Sequence, residues 1–179
     1  MKRLSAALAL AALTTAAAQA QEVMSGVYDA SAVPGWVYDA AITEDLGVPT
    51  WVQTGLETDN QIGNCNITTS EVSASWSDYS EYFNAMTPRG FAAQLAQSET
   101  VVTHAYLTAV FEMNGRPAMR NLVTTDVDGS PVDLVSVIIG GADTMVTISC
   151  GVPGGLMMGY LQPFQDFLEG ISIETARPQ

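Results

Sequence analysis

The chain has 179 residues, of which 47% are hydrophobic and 14% are charged, and its formal net charge is −13 at pH 7. This length suits one ordinary domain with a core of its own. Because a strongly acidic protein repels phosphate groups, the composition argues against nucleic acids and anionic membrane surfaces as partners.

The first twenty residues have the pattern of a secretory signal peptide. Lys2 and Arg3 provide a positive start, residues 4–18 form an uncharged apolar run, and Ala18-Gln19-Ala20 carries the small residues that signal peptidase recognises. The run is shorter than the about 20 apolar residues of a membrane helix. We therefore expect a cleaved signal at residues 1–20, a periplasmic or secreted protein, and no membrane insertion after cleavage.

The mature chain that this predicts contains no lysine. Four arginines remain against 19 carboxylates, which gives a formal charge of −15. Solubility is enough to explain such a charge. The alternative is a surface that binds cations or a basic partner. The acidic residues are scattered along the chain, which argues against an acidic tail.

Two cysteines, Cys65 and Cys150, predict one structural disulfide, because an even number of cysteines in an exported chain is typical of oxidised pairs. The alternatives are a redox pair and a metal site. The sequence has no Cys-x-x-Cys motif, and its only histidine, His104, has no second histidine as companion. We expect no catalytic, cofactor-binding or metal-ligating residues, and no cofactor.

The first part of the mature chain has the patterns of β-strands. Residues 21–34 predict a loosely held N-terminal segment, and a single domain is expected over residues 35–174. Residues 57–64 are rich in turn formers. Strand-like patterns occupy three stretches, Gly35–Ile42, Thr50–Thr54 and Cys65–Val72.

Two short helices are predicted next, at residues 78–86 and 88–97. Asp78 and Glu81 have the spacing of a capping box, in which each side chain satisfies a free backbone N–H. Thr87 can cap the second helix with its side-chain oxygen. Pro88 can follow it, because the first helical position needs no N–H.

From Thr100 to Cys150 the pattern is that of an antiparallel meander. Asn114-Gly115 is a strong signal for a tight primed turn, because both residues tolerate positive φ. Asp128-Gly129 and Gly140-Gly141 predict a second and a third turn. Four consecutive strands follow from these turns: Ala105–Met113, Arg116–Thr125, Val132–Ile139 and Thr144–Cys150.

The C-terminal part predicts a loop at residues 151–155, an amphipathic helix, a short strand and a tail at residues 175–179. Pro163 would kink or restart the helix, Gly170 is placed to end it, and Ile171-Ser172-Ile173 is extended. The predicted fold class is therefore α+β: one domain with a central antiparallel sheet of about five to seven strands, flanked by helices.

Three groups of residues could carry chemistry. Asp126-x-Asp128-Gly129-Ser130-x-x-Asp133 resembles part of a calcium loop, although a hairpin turn explains it and the bidentate glutamate of an EF-hand is missing. The pair Met157-Met158 could bind soft metals or form a core or groove wall. Arg116 and Arg120 could bind the carboxylate of a ligand. The simpler interpretation is that both are solvated charges near the turn.

The order of elements resembles the PsbP/DcrB-type family of small exported domains. The residues that carry the resemblance are Asn64–Thr68, the helical stretch 78–97, Asn114-Gly115, Val132–Cys150 and the ending Phe164–Ile173. The resemblance implies a central antiparallel sheet flanked by helices and a non-enzymatic role in assembly, stabilisation or binding. Bacterial members often carry a lipid on a cysteine after the signal, and this chain has no cysteine there.

We expect from these observations a soluble, non-enzymatic accessory or binding protein of the bacterial periplasm. Its partner would be another envelope protein or a small ligand, held at a sheet edge or in a helix–sheet groove. One alternative is an enzyme whose site combines His104, Arg116, Arg120 and a nearby carboxylate. Another is stabilisation of the fold by calcium bound to surface acids.

Overall fold

The computed structural model describes residues 26–54, 63–97 and 100–179. The predicted signal peptide and most of the turn-rich stretch 57–64 lie outside the described residues.

The described residues form nine strands and four helices. The strands are β1 (Tyr28–Asp29), β2 (Trp36–Tyr38), β3 (Thr50–Gln53), β4 (Asn64–Glu71), β5 (Val101–Met113), β6 (Arg116–Val127), β7 (Ser130–Ile139), β8 (Thr144–Pro153) and β9 (Ser172–Ile173). The helices are α1 (Ala40–Leu46), α2 (Trp76–Ala85), α3 (Pro88–Gln97) and α4 (Met157–Gly170).

Seven of the strands form one antiparallel sheet in the order β2-β3-β4-β8-β7-β6-β5, and β1 pairs with β9 separately. The predicted α+β fold class is therefore confirmed. β5 to β8 are the predicted meander, and β5 is one edge of the sheet. Since an edge strand has unpaired backbone N–H and C=O groups, β5 offers a surface on which another chain could pair.

Local turn chemistry fixes the registers of the meander. Asn114 and Gly115 have φ of 52° and 68°, and Asp128 and Gly129 have φ of 52° and 81°. These positive values are those of primed turns, which the sequence predicted at Asn114-Gly115, and both dipeptides form turns as predicted. The Asp126 carboxylate accepts the N–H of Gly129 at 2.8 Å, so the motif considered for calcium closes a hairpin. In the described part of the chain, no three acidic, histidine or cysteine side chains are arranged to hold a metal ion.

The first helix corrects the sequence analysis, which predicted a strand over Gly35–Ile42. The strand ends at Tyr38, and the Asp39 carboxylate caps α1 by accepting the N–H groups of Ala41 and Ile42, both at 3.0 Å. The physical reason is that an N-cap aspartate satisfies two backbone donors that a strand would have to pair with a neighbour.

The capping box of α2 also differs from the prediction. The helix begins at Trp76, two residues earlier than expected, so Ser75 is the N-cap and Asp78 is the N3 residue. The Asp78 carboxylate accepts the N–H of Ser75 at 2.7 Å, and the Ser75 hydroxyl accepts the N–H of Asp78 at 3.3 Å. Asp78 with Glu81 is therefore not the box. The predicted cap of α3 is confirmed, since Thr87 accepts the N–H of Gly90 at 3.1 Å.

Helices cover both faces of the sheet. Alternate residues of β7 belong to two hydrophobic clusters, with Val135 and Val137 on the face of α4 and Ile138 on the face of α2 and α3. This alternation is the period of two that a strand imposes on its side chains. On the α4 face, Trp36 packs on Phe167 with ring centroids 4.9 Å apart.

The two ends of the described chain are packed together. Within the predicted N-terminal segment 21–34, Tyr28 and Ala30 are buried, and the Ala30 carbonyl accepts the indole N–H of Trp51 at 3.1 Å. The predicted closing strand pairs as β9 with β1. The tail 175–179 runs beside α2, where its last carbonyl, that of Gln179, accepts the Trp76 N–H at 2.8 Å.

Cys65 and Cys150 lie opposite each other on β4 and β8 and form the predicted disulfide, across 85 residues of sequence. Both residues belong to the hydrophobic cluster under α4. Of the helices in the described ranges, none has the length and apolar character needed to cross a membrane.

Candidate functional site

The three side chains proposed for a distributed enzyme site lie apart. His104 is exposed on β5 and stacks on Tyr106 with ring centroids 5.9 Å apart. It pairs with Thr124 in the β5–β6 register. Arg120 is four residues from Thr124 along β6, which is about 13 Å in a strand. The histidine and this arginine therefore do not share one cleft.

Arg116 has a structural role. Its side chain is only 6% exposed, and it donates to the carbonyls of Asn114, at 3.1 Å, and Thr175. Burial and the neighbouring charge of Arg177 lower the pKa of Arg116. The interpretation of this arginine as a solvated turn charge was wrong, because the C-terminal tail covers it.

Arg120 lies between the sheet and α4. Its guanidinium carbon is 5.3 Å from the centre of the Phe111 ring, and its Nη2 donates to the Gln165 side chain at 2.9 Å. A cation over an aromatic face is held by the negative charge of the ring face. Arg120 thus fastens the edge hairpin to α4.

An apolar pocket opens where the amino end of α4 meets β5, β6 and β7. Its volume is 260 Å³, and it is lined by Tyr106, Leu122, Asp133, Gly155, Met157 and Met158. Met157 is buried, whereas Met158 is 81% exposed at the rim. The methionine pair therefore lies in a groove wall, one of the roles that the sequence analysis considered for it.

Irregular pairing at the sheet edge positions the aromatic wall of this pocket. The β5–β6 register shifts between Ala105 and Leu107, so Tyr106 has no partner of its own on β6. Such β-bulges redirect side chains and are frequent beside functional sites. The Tyr106 side chain is 57% exposed and lines the pocket.

The polar side of the pocket is a short hydrogen-bond chain that ends on Asp133. The Thr124 hydroxyl donates to Asp133 Oδ1 at 2.7 Å, and the Gly155 N–H donates to Asp133 Oδ2 at 2.8 Å. The Tyr106 and Thr124 hydroxyl oxygens are 3.1 Å apart. The Asp133 side chain is buried, with only 8% of its surface exposed.

The loop before α4 shapes the pocket and was predicted only in part. β8 continues to Pro153, so the expected loop 151–155 is shorter than predicted. Gly155 has φ of 86°, which a side chain would strain, and this backbone conformation directs its N–H to Asp133.

A second hollow lies farther along α4. It has a volume of 320 Å³, and its lining includes Phe111, Arg120, Gln165 and Leu168. Both hollows thus lie between α4 and the β5–β6 hairpin. β5 also exposes several large apolar side chains: Val101, Tyr106, Leu107 and Val110.

Comparisons with solved structures identify the same fold elsewhere. LpqN of Mycobacterium tuberculosis, described as involved in cell envelope biogenesis, superposes with a TM-score of 0.53 at 11% identity, over 82% of each chain. Cyanobacterial PsbP (CyanoP) from Synechocystis sp. PCC 6803 superposes with a TM-score of 0.51 at 11% identity, over 83% of this chain and 88% of that one. No protein-family model and no curated protein sequence matches the chain.

The chain therefore has a PsbP-like fold, as its sequence resemblance predicted. At 11% identity the likeness concerns the fold alone. The pocket residues come from three strands, a loop and a helix, so no local motif of the sequence could have indicated them together.

Proposed function

We propose that the protein is an exported, soluble accessory protein of the bacterial periplasm that binds a small apolar ligand between α4 and the β5–β6 hairpin. The observation that carries the proposal is the 260 Å³ pocket. The walls of this pocket are mostly apolar and include one buried carboxylate, that of Asp133. Small-molecule sites in proteins are usually concave and apolar, with few polar groups.

Export is supported by two independent features. Residues 1–20 have the pattern of a cleaved signal. The disulfide Cys65–Cys150 fits an oxidising compartment, where such bonds persist. LpqN, whose fold this chain shares, is described as involved in cell envelope biogenesis, which is consistent with a role in the envelope.

An envelope protein is the second kind of partner that we propose, and the edge of the sheet is its expected contact. β5 is 13 residues long and ends the sheet, so a strand of another chain could extend the backbone hydrogen bonding. The two register shifts limit regular pairing to the part of β5 from Leu107 to Met113.

Ligand binding is tested with the protein purified from the periplasm of an expressing bacterium. The neutral fluorescent probe N-phenyl-1-naphthylamine should bind, and Met158→Asp should weaken its affinity about tenfold, because a charge at the rim opposes burial of an apolar molecule. Leu46→Asp is the matched control, since Leu46 is 53% exposed on α1, away from the pocket.

Equal affinity of both variants and the unchanged protein would place the probe elsewhere and contradict the proposal. Failure of the unchanged protein to bind any small apolar molecule would contradict it as well.

A further inference from the structure

We propose that the pocket selects small apolar molecules that carry an ammonium group, with Asp133 as the residue that contacts the charge. This inference rests on the proposed function and adds the chemical class of the ligand.

The Asp133 carboxylate has neutral partners. Among the described residues, it accepts hydrogen bonds from the Thr124 hydroxyl and the Gly155 N–H, one on each oxygen. A carboxylate has about four acceptor sites, so each oxygen can accept a further hydrogen bond. Asp133 lines the pocket, and a bound ammonium could supply both the missing donors and the missing positive charge.

The hydrogen-bond chain makes the tyrosine an acceptor too. A carboxylate only accepts, so the single hydroxyl proton of Thr124 points to Asp133, and Tyr106 must donate its proton to the Thr124 oxygen. The lone pairs of the Tyr106 oxygen remain for a ligand. The side-chain polar groups of the pocket are therefore acceptors, which favours a ligand that donates.

The rest of the pocket suits the apolar body of such a ligand. Leu122, Met157 and Met158 provide aliphatic and thioether surface, and the face of the Tyr106 ring attracts cations. The volume of 260 Å³ lies just below the range of about 300–1,000 Å³ for drug-sized ligands, so the ligand should be small.

The charge of the whole protein acts in the same direction. Removal of residues 1–20 would leave four arginines against 19 carboxylates, and this excess of negative charge raises the local concentration of cations. This general attraction must be separated from a contact with Asp133, and the experiment is designed to do so.

The test measures affinities of n-octylammonium, 1-octanol and octanoate by isothermal titration calorimetry with the protein purified from the periplasm. We expect n-octylammonium to bind about tenfold more tightly than 1-octanol, because a charge-assisted hydrogen bond to Asp133 is stronger than a neutral one. Octanoate should bind most weakly, because its carboxylate and that of Asp133 repel each other. Equal affinity for the ammonium and the alcohol, or preference for octanoate, would overturn the inference.

Asp133→Asn should remove the preference for n-octylammonium over 1-octanol, because the carboxylate charge that pairs with the ammonium is gone. Asp126→Asn is the matched control, because this substitution removes the same charge. The Asp126 carboxylate also accepts a glycine N–H, and it lies outside the pocket. If both variants weaken ammonium binding equally, net charge and not Asp133 is responsible, and the inference fails.

The comparison of ligands in the unchanged protein decides the inference even if Asp133→Asn does not fold. Failure of all three probes to bind would contradict the proposed pocket itself. Binding of 1-octanol without preference for the ammonium would contradict only the choice of ligand.

Discussion

At the scale of single residues, the roles of Arg116, Arg120 and Asp133 depend on their burial and contacts, which the sequence does not show. Arg116 and Arg120 lie four residues apart on β6. Arg116 is buried under the C-terminal tail, whereas Arg120 lies against Phe111 and α4. Asp133 was visible in the sequence only as the last acid of a calcium-like motif. Its contacts with Thr124 and Gly155 give it a different role, at the edge of a pocket.

Arg116→Met should destabilise the fold by about 2 kcal/mol, because the carbonyls of Asn114 and Thr175 lose a charged donor. Arg89→Met is the control: Arg89 is exposed on α3, and its loss should change the stability little. Urea unfolding of the two variants measures the difference. Equal stability of both variants would show that Arg116 does not hold the tail.

At the scale of elements, the caps and turns decide where helices and strands begin. The primed turns at Asn114-Gly115 and Asp128-Gly129 are local, so their residues alone predict them. α1 is also started locally, by Asp39, but the apolar residues around it have the composition of a strand. This one-residue cap outweighs the weak strand pattern, because the Asp39 carboxylate satisfies two backbone N–H groups of the first turn.

The capping box of α2 gives a prediction for stability. Ser75→Ala should destabilise the protein by about 1 kcal/mol, because the N-cap hydroxyl satisfies a free N–H of the first turn. Ser80→Ala, within the same helix, should have little effect or stabilise slightly, since alanine has the higher helix propensity. Thermal unfolding distinguishes them, and a larger loss at Ser80 would contradict the assignment of the cap.

The same box predicts a dependence on pH. The backbone N–H and the hydroxyl of Ser75 lower the pKa of Asp78 below that of an ordinary aspartate. Its stabilising effect is therefore complete above the ordinary aspartate pKa and is lost as the pH falls through the lowered pKa. In Ser75→Ala, an NMR titration should find a higher pKa for Asp78, because one of its two donors is gone. An unchanged pKa would indicate that the hydroxyl contributes nothing.

At the scale of the whole molecule, the disulfide and the sheet act together. Cys65 and Cys150 connect β4 with β8, the last strand of the meander, so the bond joins strands β2 to β4 to the meander. The core under α4 is formed from the same strands. The pocket opens toward edge strand β5, where the amino end of α4 meets β5, β6 and β7.

Cys65→Ser with Cys150→Ser should reduce the free energy of unfolding by about 2–5 kcal/mol, since the bond restricts a long segment of the unfolded chain. The pocket should keep its affinity for apolar probes at temperatures where this variant remains folded, because neither cysteine lines it. Denaturant unfolding and probe binding test the two parts separately. Unchanged stability would contradict the structural role of the bond.

The sequence by itself determined the features that depend on residues adjacent in the chain or on the number of cysteines. Alternating apolar residues and turn dipeptides predicted the meander β5 to β8, and the two cysteines predicted their own pairing. Only the tertiary structure decided which polar residues are buried and which side chains share a pocket. Tyr106, Asp133 and Met157 meet because strand pairing and helix docking join distant segments, and this pairing depends on the packing of the whole core.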